Sequence, residues 1–143
     1  PATGATPEWR DELIRRADQI EREGMRVQVP VSLDRSYPEA IRARDRARFE
    51  RYRNRWLSND PASFAAINRM LASIDLIPKL ADITAPTLTM AGIHDPVRPP
   101  VLVKRTHAAI PRAEYREVES WHFMHLQTPE LFAANVLPFL RAG

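Results

Sequence analysis

The chain contains no cysteine and only four glycines in 143 residues. Without cysteine there is no disulfide framework, no thiolate metal site and no thiol nucleophile. That composition fits a reducing cytosol, so the expected location is cytoplasmic. No G-x-S-x-G elbow occurs, so no serine is presented on the strained strand-to-helix turn that acyl transfer uses. No apolar run approaches the roughly 18 to 20 residues that span a bilayer. The first residues lack the basic-then-apolar order of a secretory signal, and no membrane association is expected. The four histidines show neither H-x-x-x-H nor H-E-x-x-H spacing, so neither a metal nor any other cofactor is expected.

What is present describes a folded globular chain. Apolar residues make up 44% and charged residues 27% of the chain, proportions that support a sizeable core and exclude disorder. Thirteen prolines against four glycines point to helices started by proline and joined by stiff loops. The chain begins at Pro1 and not at methionine, which leads to the expectation that its start was removed or that it was cut from something longer.

Thr6-Pro7-Glu8 reads as a helix start, with a capping hydroxyl, proline at the first position and an acid at the positive end of the dipole. Trp9, Leu13, Ala17 and Ile20 recur at helical spacing, and Gly24 is a natural stop, which predicts a helix over 7–23. Residues 25–37 hold no sustained period and are expected to form an irregular, partly extended connection. A second helix is predicted from Pro38 to about Ser58, with Ile41, Phe49, Tyr52 and Trp56 on one face. A third follows Asp60-Pro61, with Phe64, Ile67, Leu71 and Ile74 as its apolar stripe. From residue 82 the order becomes strand, loop, helix, strand, loop, helix, as in βαβα units of a parallel sheet. The expected division is a helical cap over 1–76 and α/β elements over 77–143.

Two residues stand where such a sheet places its chemistry, beyond the carboxyl ends of the strands. Asp95 lies three positions after Gly92, and His122 follows the second strand, 27 residues later. A carboxylate that accepts an imidazole Nδ1 proton orients the ring and stabilises the imidazolium, and the imidazole serves as general base. The alternative for Asp95 is an Asp-Pro turn capping its own backbone, and for His122 a loop histidine of no special role. His125 is a rival base, whereas His94 and His107 read as ordinary loop and helix residues.

The run Ile83-Thr84-Ala85-Pro86-Thr87-Leu88 to Ala91-Gly92-Ile93-His94-Asp95, with Pro99, resembles the strand and acid loop of the α/β-hydrolase family. His122-Phe123-Met124-His125-Leu126-Gln127-Thr128-Pro129-Glu130-Leu131-Phe132 is similar to that family's histidine loop and final helix. Upstream, the helix carrying Trp9 and the run Arg55-Trp56-Leu57-Ser58-Asn59-Asp60-Pro61 resemble the helical cap of enol-lactonase-like and bromoperoxidase-like members. The resemblance implies an α/β fold: two parallel strands with flanking helices from the C-terminal part of the hydrolase sheet, plus the helical cap. It also implies that Asp95 is the triad acid and His122 the base. The serine and oxyanion-hole amides would lie in a preceding half that this sequence does not contain. Two departures are visible, since the family usually has glycine before the histidine and glutamate five positions after it. Here those places hold Trp121 and Gln127.

Seven arginines between Arg42 and Arg55 (Arg42, Arg44, Arg46, Arg48, Arg51, Arg53 and Arg55) raise a nucleic-acid reading, which implies steeply salt-dependent association. The net charge of only +3 and the interspersed Asp34, Glu39, Asp45 and Glu50 favour a solvated or partner-facing helix surface instead. The function that the resemblance implies is hydrolysis of an ester or lactone, with Asp95 and His122 catalytic and with Val97, Trp121 and Phe123 bordering the acyl pocket. The expected partners are a small-molecule ester or lactone and an N-terminal α/β-hydrolase polypeptide bearing G-x-S-x-G. No nucleic acid or membrane partner is expected, and the assembled unit is compatible with a homo-oligomer. The competing class is a non-catalytic binding or assembly module derived from a hydrolase half.

Overall fold

In the computed structural model, which describes residues 3–142, the chain divides into two units, one running to Leu76 and the other starting at Ile77. The first unit begins with helix α1 (Pro7–Glu23), where the Thr6 hydroxyl accepts a hydrogen bond from the Trp9 N–H at 3.3 Å. Its buried stripe is Leu13, Ala17 and Ile20. Gly24 ends it at φ 79°, a left-handed angle that suits a residue without Cβ.

The following segment corrects the expectation of an extended connection. It is a succession of helical turns: a 3₁₀ turn over Met25–Gln28, a π turn over Val29–Leu33, then α2 (Asp34–Ser36) and α3 (Glu39–Arg42). Met25, Gln28, Leu33 and Tyr37 are buried by it, at a spacing that belongs to no single regular period. Pro30 sits in a first turn, where a missing N–H costs nothing. Gln28 Nε2 donates to Gln19 Oε1 at 3.0 Å and ties the segment to α1.

The predicted second helix is also divided. Asp45 accepts from the Arg48 N–H at 2.8 Å and so starts a new helix, α4 (Arg46–Leu57), after α3 has ended. The buried Tyr37 ring packs on Phe49 and Tyr52 with centroids 5.1 and 5.9 Å apart, anchoring α4 through the aromatic face that the sequence indicates.

Helix α5 (Pro61–Ser73), capped by Asp60, buries a different face from the one expected. Ala65, Asn68 and Ala72 are buried, while Ile67 and Met70 remain 51% and 49% exposed. Small side chains let α5 approach α1 closely, and that approach outweighs burial of the larger residues in this unit. Arg69 then reaches across to α1, bonding Asp18 at 2.8 Å and also Glu21.

The second unit opens with a 3₁₀ segment, Ile77–Asp82, and continues as β1 (Thr87–Gly92), α6 (Pro100–Ala108), β2 (Ala113–Val118), α7 (Met124–Gln127) and α8 (Pro129–Ala142). The strands are parallel, in register from Thr87 opposite Ala113 to Gly92 opposite Val118. Val103, Thr106 and Ile110 bury the α6 side of the unit. Arg116 Nη1 on β2 donates to the Asn135 carbonyl of α8 at 2.7 Å. Helix α8 is apolar yet has no buried residue, with Leu140 65% exposed. Among the described residues no helix is long and apolar enough to cross a membrane.

The small-residue face of α5 is open to test by thermal unfolding. Ala65→Leu should destabilise by about 1–3 kcal/mol through overpacking, whereas Ile67→Ser should stay within about 0.5 kcal/mol of the parent. Equal effects would place the wrong face of α5 against α1.

Candidate active site

The two strands end side by side, and the chain leaves both at once. Beyond the ladder, the Ile93 N–H donates to the Val118 carbonyl and the His94 N–H to the Ser120 carbonyl, both at 3.0 Å. Gly92 makes this close approach possible. A Cβ there would lie 2.7 Å from the carbonyl oxygens of both Ser120 and Trp121, inside any tolerable contact. The glycine is needed here for space, not for an unusual φ.

The loop after β1 folds on Asp95. Its Oδ1 accepts the backbone N–H groups of Val97 at 2.7 Å and Arg98 at 2.9 Å, which is the Asx-turn arrangement weighed in the sequence. Its Oδ2 remains for a second partner, the His122 Nδ1–H at 2.9 Å. The turn and the acid–imidazole pair therefore coexist, one on each carboxylate oxygen. Asp95 is only 8% exposed. Burial is the largest single influence on it and pushes its pKa up. The hydrogen bond from His122, the two backbone N–H groups and the imidazole charge together outweigh burial and hold it below the ordinary carboxylate value.

An ionised Asp95 can only accept, so Nδ1 carries the proton of this bond, and in a neutral ring Nε2 is then the nitrogen with the free lone pair. Nε2 has no hydrogen bond among the described residues, and the side chain is 28% exposed. This is the orientation a general base requires.

The loop after β2 is held by neutral groups. Gln127 Oε1 accepts the Phe123 N–H at 2.7 Å, so the amide present where a carboxylate is usual still pins the backbone next to His122. Ser120, fully buried, bonds Thr128 Oγ1 at 2.6 Å, and Thr128 Oγ1 in turn lies 3.2 Å from the Met124 carbonyl. Trp121, in the usual glycine position, needs no special backbone, because no non-glycine residue among those described has a positive φ. Its ring stacks on His94 with centroids 4.7 Å apart. Phe123 meets the His122 ring edge-on at 4.9 Å. Val97 contributes its backbone to Asp95, as given above. His125 lies on α7 with its ring 6.1 Å from Phe132, so the Asp95 carboxylate engages His122 and not this rival. His107 is on α6 beside Tyr115, at 5.5 Å.

His94, Glu119, Ser120 and Thr128 were not singled out from the sequence for this neighbourhood, because their partners are 8 to 25 residues distant and follow no motif. Among the described residues no group of three or more His, Asp or Glu side chains is placed to hold a metal ion. A cleft of about 560 Å³ bordered by Pro86, Arg112, Glu114 and Phe139 lies at the other ends of the strands, away from Asp95 and His122.

The same arrangement of elements occurs in solved structures. A thermophilic esterase from Thermogutta terrifontis superposes with a TM-score of 0.89 at 23% identity, over 99% of this chain and 53% of that one. The enol-lactonase from Burkholderia xenovorans LB400 gives 0.89 at 24% identity, over 98% of this chain and 53% of that one. A hydrolase from Pseudomonas aeruginosa PA01 gives 0.83 at 27% identity, over 96% and 52%.

The chain has the fold of the C-terminal half of an α/β-hydrolase.

It spans about half the length of these neighbours. Neither a protein-family model nor a curated protein sequence matches it. In an α/β-hydrolase half of this kind, the carboxyl ends of the two strands bring Asp95 and His122 together.

Two measurements check this geometry. Gly92→Ala should destabilise by about 1–3 kcal/mol, since only backbone movement at the strand ends can relieve the contact. A neutral result in chemical denaturation would remove the close approach from the account. The depressed Asp95 pKa also fixes a sign. Its stabilising contribution is complete above the ordinary carboxylate value of 3.8 and is lost as pH falls through the lower folded value. Asp95→Asn should therefore flatten the acid side of the melting-temperature profile below about pH 4.

Proposed function

We infer that the chain supplies the acid and base of a Ser-His-Asp hydrolase acting on an ester or lactone, the serine and oxyanion hole coming from an N-terminal α/β-hydrolase segment with a G-x-S-x-G elbow. The observation that carries this reading is the 2.9 Å bond from His122 Nδ1 to a buried, ionised Asp95, which leaves Nε2 without a hydrogen bond among the described residues. His122 Nε2 takes the serine proton as the hydroxyl attacks the acyl carbon, and returns it to the leaving group. It then deprotonates a water that releases the acid. Asp95 keeps the ring in the productive tautomer and offsets the imidazolium charge at each transfer, remaining ionised itself. Trp121, Phe123 and Val97, adjacent to the pair, border the acyl group. Residues 1–76 serve as the cap.

The need for a second segment is supported by what the second unit leaves uncovered. Its sheet has two strands, and α8 carries Leu131, Leu137 and Leu140 exposed. An unpaired parallel edge beside an apolar helix is a poor surface to leave in water, and further strands of a hydrolase sheet would cover it. The ester and lactone classes come from the neighbours described as an esterase and an enol-lactonase.

The test is reconstitution. Co-expressed with an N-terminal segment bearing the elbow, the chain should form a stable complex that hydrolyses p-nitrophenyl acetate or a small lactone. His122→Ala or Asp95→Asn should lower kcat by about 10³- to 10⁴-fold without releasing the segment. A stable complex without turnover, or with turnover indifferent to both substitutions, would favour an assembly module over an enzyme.

A further inference from the structure

The residues immediately before Asp95 and His122 are themselves paired. The His94 and Trp121 rings stack at 4.7 Å with 30° between their planes, and His94 Nε2 lies 2.5 Å from Glu119 Oε1. The His94 N–H also holds the Ser120 carbonyl at 3.0 Å. One residue of the acid loop therefore grips three successive residues of the base loop, through an ion pair or hydrogen bond, a backbone bond and a ring face.

We propose that His94, with Trp121 and Glu119, positions the Asp95–His122 pair by clasping the two loops where they leave the sheet. The inference rests on the reading of that pair as acid and base. Past Gly92 and Val118 the ladder has ended, and the backbone bonds from Ile93 to Val118 and from His94 to Ser120 lie beside the exposed Ile93, His94 and Glu119, where backbone pairing alone opens easily. A shift of about 1 Å between them would lengthen the Asp95–His122 bond out of its productive range. Glycine at position 121 would offer no ring to His94. The indole supplies a face on which the His94 ring stacks while its Nε2 bonds Glu119. An exposed ion pair alone holds little. Here it acts together with a stack and a backbone bond on the residue covalently joined to Asp95. Among the described residues no hydrogen bond joins His94 or Glu119 to the Asp95 carboxylate or the His122 ring, so both are positioning residues.

The experiment uses the 143-residue chain by itself and follows the His122 Nδ1 proton by NMR, so it does not depend on the serine-bearing segment. His94→Ala and Trp121→Ala should each speed exchange of that proton with water about fivefold. Glu119→Gln should have a smaller effect in the same direction. His94→Phe keeps a ring against the indole and should recover most of the protection. The amide protection of β1 and β2 should stay at the parent value throughout. Unchanged exchange in His94→Ala and Trp121→Ala would overturn the clasp alone. Loss of β1 and β2 protection in His94→Phe would also overturn it, because His94 would then support the sheet and not the pair. Absence of a protected Nδ1 proton in an unsubstituted chain whose β1 and β2 amides are protected would overturn the clasp together with the acid–base pair beneath it.

Discussion

The carbonyl oxygens of Ser120 and Trp121 occupy the space that a side chain at position 92 would need. This steric constraint sets how close the two strands come as they end, and the rest of the site is built on it. With the strand ends in contact, the loops emerge at a separation that a single carboxylate spans. Asp95 then uses one oxygen to close its own turn and the other to orient His122. A wider separation would leave a buried carboxylate with backbone partners only, and burial, the largest influence on its pKa, would have less opposing it.

The polar groups behind His122 are arranged so that none has to carry charge. Gln127 holds the Phe123 N–H with an amide oxygen, and Ser120 and Thr128 satisfy one another in a buried position. Among the described residues, Asp95 is the carboxylate bonded to His122. Buried polar groups of this kind are costly when unmatched and specific when matched, which suits a loop that must present one ring in one orientation.

Much of the fold was legible locally. Thr6-Pro7 and Asp60-Pro61 mark helix starts because a capping oxygen and a proline act on their own first turn. The order of β1, α6, β2 and α8 followed from a change of period along the chain. Two helical features were not legible. The segment from Met25 to Arg42 changes from 3₁₀ to π to α turns, so no single period describes it. On α5 the pattern marks Ile67 as core, yet the helix packs through Ala65 and Ala72, because closeness of approach to α1 depends on the partner and not on the hydropathy of α5.

The sequence by itself determined the two strands, the first and third helices and the order of the later elements, and its resemblance to a known family marked the candidate acid and base. It also narrowed the acid's role to two alternatives, a turn cap or an imidazole partner. The tertiary structure decided that Asp95 is both, that His122 and not His125 receives it, and that Trp121 lies against His94. Those outcomes depend on the distance between two chain segments 27 residues apart. That distance is set by the parallel register and the contact at Gly92, neither of which is a property of either segment alone.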